Sequence, residues 1–226
     1  MNFNDYRTEL ENRVPKIDVG LAISLLGDIY GFNSPVYFPY GDFLDRGYEL
    51  GSYQLNVVPD EEADRLSQFG TPVLGSFAVR GGTYKCYNKS TGMLEDREYP
   101  DFEFPLATIV DFEHPKNIVK TPTIGSNGTV KEIFGFDDWR INIRGICLDD
   151  GSRLAQKTAK EQQLAMTQLN EIAGSLDIDR GRLFLEKDIT RFVIERLSFS
   201  AVQGKPNVIQ YEIEASSDED FLITGI

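Results

Sequence analysis

Residues 106–148 read LATIVDFEHPKNIVKTPTIGSNGTVKEIFGFDDWRINIRGICL, and the pattern of this stretch decides the fold. Its end carries the plainest signal. Trp139, Ile141, Ile143, Gly145 and Cys147 share one parity and Arg140, Asn142 and Arg144 the other, the period of a strand with one buried and one wet face. Upstream, the apolar run 106–112 predicts a first strand that closes near His114 and Pro115. Pro122, Gly125, Asn127 and Gly128 supply a turn, 129–134 a second strand, and 135–138 a hairpin turn into the third. Asp137 and Asp138 read as residues of that turn, because adjacent carboxylates diverge rather than converge on one bond.

Working outward towards the C-terminus, residues 149–152 read as a helix entry. Ala165, Met166, Leu169, Ile172, Ala173 and Leu176 follow at spacings near three and four, with Gly174 as the stop. A strand is expected at 183–185 and a longer one at 191–199. In the longer one Phe192 and Ile194 fall on even positions but Leu197 and Phe199 on odd ones, which predicts a bulge near Glu195 and Arg196. After a Gly-Lys-Pro turn at 203–207, Ile209, Tyr211, Ile213 and Ala215 alternate with Gln210, Glu212 and Glu214 in a last strand. Three strands, one helix and two or three more strands joined by short turns predict an α+β fold. The form expected over residues 105–226 is a predominantly antiparallel curled sheet, its open end covered by one flanking helix.

The first 104 residues read as an N-terminal arm or subdomain. Residues 19–30, VGLAISLLGDIY, predict a short buried helix ended at Gly31, the alternative being insertion of Leu21 and Leu25 into a neighbouring subunit. Residues 32–48 are rich in aromatics, Gly and Pro. Tyr40 and its neighbours either pin a loop to the core or form a sugar-stacking platform, the reading of a carbohydrate-binding module. A strand is expected at 50–58, helical turns in PDEEADRL, and two short strands at 73–87 hinged on Gly81 and Gly82. The polar stretch 88–105 reads as a long connection or a poorly ordered segment.

Composition narrows the function classes. The chain has 226 residues, 41% hydrophobic and 26% charged, an ordinary globular balance. Its 36 acidic and 23 basic residues give a net charge of -13, which repels phosphate backbones and argues against nucleic acid as a partner. Cys86 and Cys147 show no CxxC spacing, and Cys147 falls on a buried parity, so both are expected as reduced structural thiols. His114 is the only histidine and is expected as a polar strand terminus, which leaves no Ser-His-Asp triad. The acidic tail at 218–220 lacks the loop pattern of an EF-hand, and no metal or cofactor is expected. The N-terminus lacks the pattern of a secretory signal, and no apolar run has the length of a membrane span.

The runs PKNIVKT and GSNGTVKEIFGFDDWRINIRGICL carry a resemblance. Through Lys116, Ile118, Val119, Thr121, Gly125, Gly128, Thr129, Val130, Lys131, Glu132, Trp139, Ile141, Ile143 and Gly145, residues 105–218 resemble bacteriophage tail and baseplate proteins. These include a tail-protein family from phages and prophages of Bacteroidetes. The same stretch is similar to the region before the LysM domain in baseplate adaptor proteins of contractile injection systems. The resemblance implies the split barrel of tail tube and hub proteins, and a structural, non-enzymatic role at a baseplate or tube-to-baseplate junction. It also implies a homo-oligomeric ring, with other tail, tube or baseplate subunits as partners, in a particle assembled in the bacterial cytoplasm. Rings repeat one heterologous interface, and the candidates for it are Lys131, Glu132, Arg140 and Arg144 on wet strand faces, with Leu21, Leu25 and Tyr40 in the N-terminal part.

Overall fold

A computed structural model describes residues 19–31, 37–39, 56–58, 77–88, 90–125, 127–150, 156–205 and 207–218. In chain order these form α1 (Val19–Tyr30), β1 (Tyr37–Pro39), β2 (Asn56–Val58), β3 (Phe77–Val79), β4 (Gly82–Tyr87), β5 (Leu94–Tyr99), β6 (Phe102–Glu103), β7 (Thr108–Glu113), β8 (Lys116–Pro122), β9 (Thr129–Phe136) and β10 (Arg140–Cys147). There follow α2 (Ala159–Leu169), β11 (Leu176–Gly181), α3 (Arg182–Leu185), β12 (Arg191–Ala201) and β13 (Ile209–Ser217). The fold is α+β and mostly antiparallel sheet.

Seven strands form the central sheet in the order β6-β3-β11-β12-β13-β10-β7. The two end strands are not bonded to each other, so the barrel is not closed among the described residues. β10, β13 and β12 are its longest members, and their alternation explains the core. Ile141, Ile143, Cys147, Tyr211, Ile213 and Ala215 are buried on the face that the parity indicates. In β12 the register against β13 jumps between Ile194 and Arg196, leaving Glu195 as the extra residue of the expected bulge. That single insertion lets Phe192 and the odd-numbered Leu197 and Phe199 all pack against one core.

At the centre, Tyr211 is fully buried and its ring lies over Gly145, its register partner. The phenol is satisfied by Thr108 Oγ1, which also donates to the Pro105 carbonyl. A Cβ on Gly145 would lie 2.5 Å from both the Ala107 carbonyl oxygen and the Tyr211 hydroxyl, so only glycine admits this approach.

α2 begins later than expected. Its N-cap is Thr158, whose side chain accepts from the Glu161 amide while Glu161 reaches back to the cap backbone, a capping box that ends the preceding loop. Gln162 then ties the helix to the end of β10: its amide nitrogen donates to the Leu148 carbonyl at 2.8 Å and its oxygen accepts from the Leu148 amide at 3.2 Å. Met166 and Leu169 are buried in the main cluster as the stripe predicts. Residues 151–155 lie outside the described part.

α1 is the buried helix that its apolar density implies. Ala22, Leu25 and Leu26 pack against Leu106, Ala107, Ile109, Ile146 and Val208, a second cluster away from the main one. Tyr30 closes the helix with its hydroxyl 3.0 Å from the Gly145 carbonyl and 3.1 Å from that of Tyr211, and burial raises its pKa.

Several expectations are corrected. Gly81 and Gly82 do not make a hairpin: β3 pairs with β11 and β6, whereas β4 pairs with β5. Gly81 is instead a close approach, where a Cβ would lie 2.5 Å from the Asp101 amide nitrogen. The stretch 88–105 contains β5 and β6 rather than one connection; its acidic composition concealed a strand whose Arg97 bonds Glu95 and Glu171 at 2.7 Å each. Residues 183–185 are helical, since three residues are too few to separate a period of two from one turn of α3, where Arg182 pairs with Glu186 one turn on at 3.1 Å. Apart from these corrections, β3 and β6, which precede residue 105, lie in the same sheet as β7, β10, β11, β12 and β13, and Phe77, Phe102 and Phe104 lie in its core.

Candidate functional site

The feature that the core does not explain is the pairing of β8 with β9. These strands form a separate two-stranded sheet, and 135–138 returns the chain from it to β10 rather than pairing β9 with β10. Every residue of β9 is exposed. Among the described residues, six of the twelve large hydrophobic side chains that are exposed lie on this hairpin: Val119, Ile124, Val130, Ile133, Phe134 and Phe136. A lone two-stranded hairpin is marginal in water, and uncovered apolar side chains on both faces mark a surface for a partner.

Register gives the two faces. Ile118 pairs with Ile133 and Lys120 with Lys131 on one face, and Val119 pairs with Glu132 and Thr121 with Val130 on the other; Phe134 follows at the shift in register between Ile118 and Lys116. Among the described residues neither lysine of the cross-strand pair has an ion-pair partner. Both legs of the root are clamped by rings. His114, just before β8, is stacked between Phe136 at 4.5 Å and Trp139 at 4.0 Å, and Lys116 Nζ lies 5.6 Å from the centre of the Phe136 ring. The histidine is therefore a packing residue at the root of the hairpin, where a plain polar terminus was expected.

Beside the root lies the outer face of the sheet. Arg144 bonds Asp111 and its guanidinium lies 5.6 Å from the Tyr30 ring centre; Arg140 sits 3.9 Å from Glu113; Arg196 bonds Glu214 at 2.7 Å. Asn142 donates to Glu212 at 3.4 Å. Asp111, Glu113, Arg140, Asn142, Glu195 and Glu214 border a hollow of about 420 Å³. The face that parity marked as wet is thus a lattice of opposite charges with carboxylates in excess.

The sequence candidates separate accordingly. Lys131 and Glu132 lie on opposite faces of the uncovered hairpin, and Arg140 and Arg144 on the charged sheet face. Leu25 is buried against the sheet, while Leu21 is exposed on α1. Tyr40 and residues 40–48 lie outside the described residues. Register places Lys120 opposite Lys131, exposure adds Phe134 to the surface, and ring stacking places His114 at its root; their spacing alone carries no signal for it.

Chemistry is sparse. Among the described residues no three His, Cys, Asp or Glu side chains converge as metal ligands, and no helix is long and apolar enough to cross a membrane. Both cysteines are buried and unpaired with each other, and burial pushes the Cys147 thiol up to about 12. Asp137 and Asp138 stay in the return turn, where the Asp137 carboxylate accepts from the Asp138 amide at 3.1 Å.

No curated protein matches the chain. Among the solved structures that resemble it are two at 12% identity. One is the tail of an empty GTA particle computed with helical refinement in C6 symmetry, covering 61% of this chain and 90% of that one with a TM-score of 0.30. The other is the virion of a native gene transfer agent particle, covering 61% and 91% with a TM-score of 0.27. Residues 103–225 match the model of a family described as a domain of unknown function, DUF6046, and as the match spans more than half of the chain, the protein belongs to that family.

Proposed function

We propose that this protein is a structural, non-enzymatic component of a phage tail or related contractile injection particle, at the baseplate or the tube-to-baseplate junction, and that it acts by assembling into a ring. The single observation that carries this reading is the β8–β9 hairpin, which leaves apolar side chains uncovered on both faces beside a sheet that is not closed among the described residues. A side chain such as Phe134, 67% exposed, loses stabilisation in a monomer and gains it when a neighbour covers it. The resemblance of residues 105–218 to tail and baseplate proteins supplies the kind of neighbour: other tail, tube or baseplate subunits. The same proposal includes the split barrel, whose open edges a ring of subunits would bring together, and assembly in the bacterial cytoplasm.

Mass spectrometry of purified particles, with gold-labelled antibody and electron microscopy, tests it. The expected result is the chain at fixed stoichiometry and label at one level of the tail. Particles that lack the chain overturn the reading.

A further inference from the structure

We propose that the β8–β9 hairpin docks through the Lys120–Lys131 pair onto the acidic outer face of the central sheet in a second copy of this chain. The inference rests on the assembly reading above and names the two surfaces. Like charges directly opposite each other across an antiparallel pair destabilise it, and neither lysine has a carboxylate partner among the described residues. Glu132, the hairpin's one acid, pairs with Val119 on the other face and does not offset them. A doublet kept at that cost points to carboxylates brought from outside.

Charge selects the second copy as the source. The hairpin carries Lys116, Lys120 and Lys131 against Glu132, while the chain as a whole carries -13, so a basic element is mounted on an acidic body. Any two copies are complementary between hairpin and body. The body also offers a place: Asp111, Glu113, Glu195 and Glu214 surround the hollow on the outer face, and Arg140 and Asn142 are its other charged or amide side chains. Glu195 is the bulge residue, exposed, without a register partner on β13 and without an ion pair among the described residues.

The contact runs between molecules rather than within one. Lys120 lies four residues beyond Lys116 on an extended strand, about 13 Å further out at 3.3 Å per residue, and β9 is uncovered along its whole length. Ile118 and Ile133 share the face of the lysine pair and lie between it and the root, so docking that face also buries apolar area. The lysines then fix register and direction while the aliphatic pair adds affinity, and such a heterologous contact repeats into a ring.

Sedimentation velocity of the full chain across concentration and salt tests this, with circular dichroism to verify folding. The wild type is expected to self-associate at low salt and to weaken about tenfold as salt screens the contact. Lys120→Glu/Lys131→Glu is expected to weaken association by at least about tenfold, and Lys120→Gln/Lys131→Gln by less. Glu113→Lys/Glu195→Lys is expected to be weak alone and to associate when mixed with the lysine-reversed protein. A lysine-reversed protein that associates as the wild type does, a mixture with no recovery, or a wild type monomeric throughout each overturns the docking. The tail reading is judged separately by the chain's presence in particles, so a particle protein with normal assembly of the lysine-reversed variant removes this inference alone.

Discussion

The imidazole of His114 lies 4.0 Å from the indole of Trp139 with the two planes 14° from parallel. Phe136 covers the opposite face of the same imidazole at 4.5 Å, and Trp139 meets Phe112 edge-on at 6.4 Å. One stack therefore joins the start of β8, the end of β9 and the body. His114→Ala is expected to leave global stability within about 1 kcal/mol, since the site is exposed, but to speed amide exchange across β8 and β9 about fivefold, the equivalent of one aromatic pair. His114→Phe should retain the protection. Unchanged exchange in the alanine variant would show that strand pairing alone holds the hairpin.

The close approach at the sheet centre makes a larger demand. In Gly145→Ala the new methyl group meets the Ala107 carbonyl and the Tyr211 hydroxyl at 2.5 Å, and the carbonyl is fixed because it accepts from Ile146 at 3.1 Å. A loss of about 2 to 3 kcal/mol is expected, read as a lower urea midpoint with an unchanged slope. Adding Tyr211→Phe removes the hydroxyl but not the backbone clash, so the double variant should not recover wild-type stability.

These two sites also show what the sequence could and could not convey. Parity is a local signal, so β10, β13 and the bulge at Glu195 were legible: a half-buried strand must alternate, and a change of phase must be absorbed somewhere. Partner choice is not local. Nothing in the text of β4 says that it pairs with β5 rather than β3, and Gly81 reads alike whether it turns a hairpin or lets the backbone at Asp101 approach. The candidate surface divides in the same way. Lys131 and Glu132 could be placed on a strand, but their separation onto two faces, and the opposition of Lys120, follow only from the β8–β9 register.

The buried thiol predicts a pH dependence. Burial raises Cys147 to about 12 in the folded chain, against roughly 8.5 for a free thiol. The unfolded chain therefore loses this proton first as pH rises. The stability contributed by keeping the thiol neutral is complete below about pH 8.5 and falls from there towards pH 12, by at most about 1.4 kcal/mol per pH unit. Tyr99, raised to about 12 chiefly by burial and then by Cys86, acts in the same direction at the alkaline end. Urea midpoints at pH 8 and pH 10.5 should show the fall. A thiol reagent should leave Cys147 unlabelled at pH 8 until denaturant is added; rapid native labelling would remove the argument.

A cut at residue 105 tests where the cooperative unit begins. Among the described residues the main cluster has twenty buried members, and six of them (Phe77, Val79, Cys86, Tyr99, Phe102 and Phe104) come from 77–104. Phe104 stacks on Phe77 at 4.1 Å, and β3 covers the edge of β11, so residues 105–226 alone would expose both an aromatic wall and an unpaired strand. Each large side chain lost from the wall removes about 3 kcal/mol or more, which several together take beyond the stability of an ordinary domain. Residues 105–226 are therefore expected to show no cooperative urea transition. Residues 77–226 should keep one at a lower midpoint and bind a hydrophobic dye, because losing α1 uncovers Leu106, Ile109, Ile146 and Val208 but leaves the main cluster whole. A cooperative transition in 105–226 near the full-length midpoint would place the boundary at 105 and show that β3 and β6 dock onto a sheet already able to fold without them.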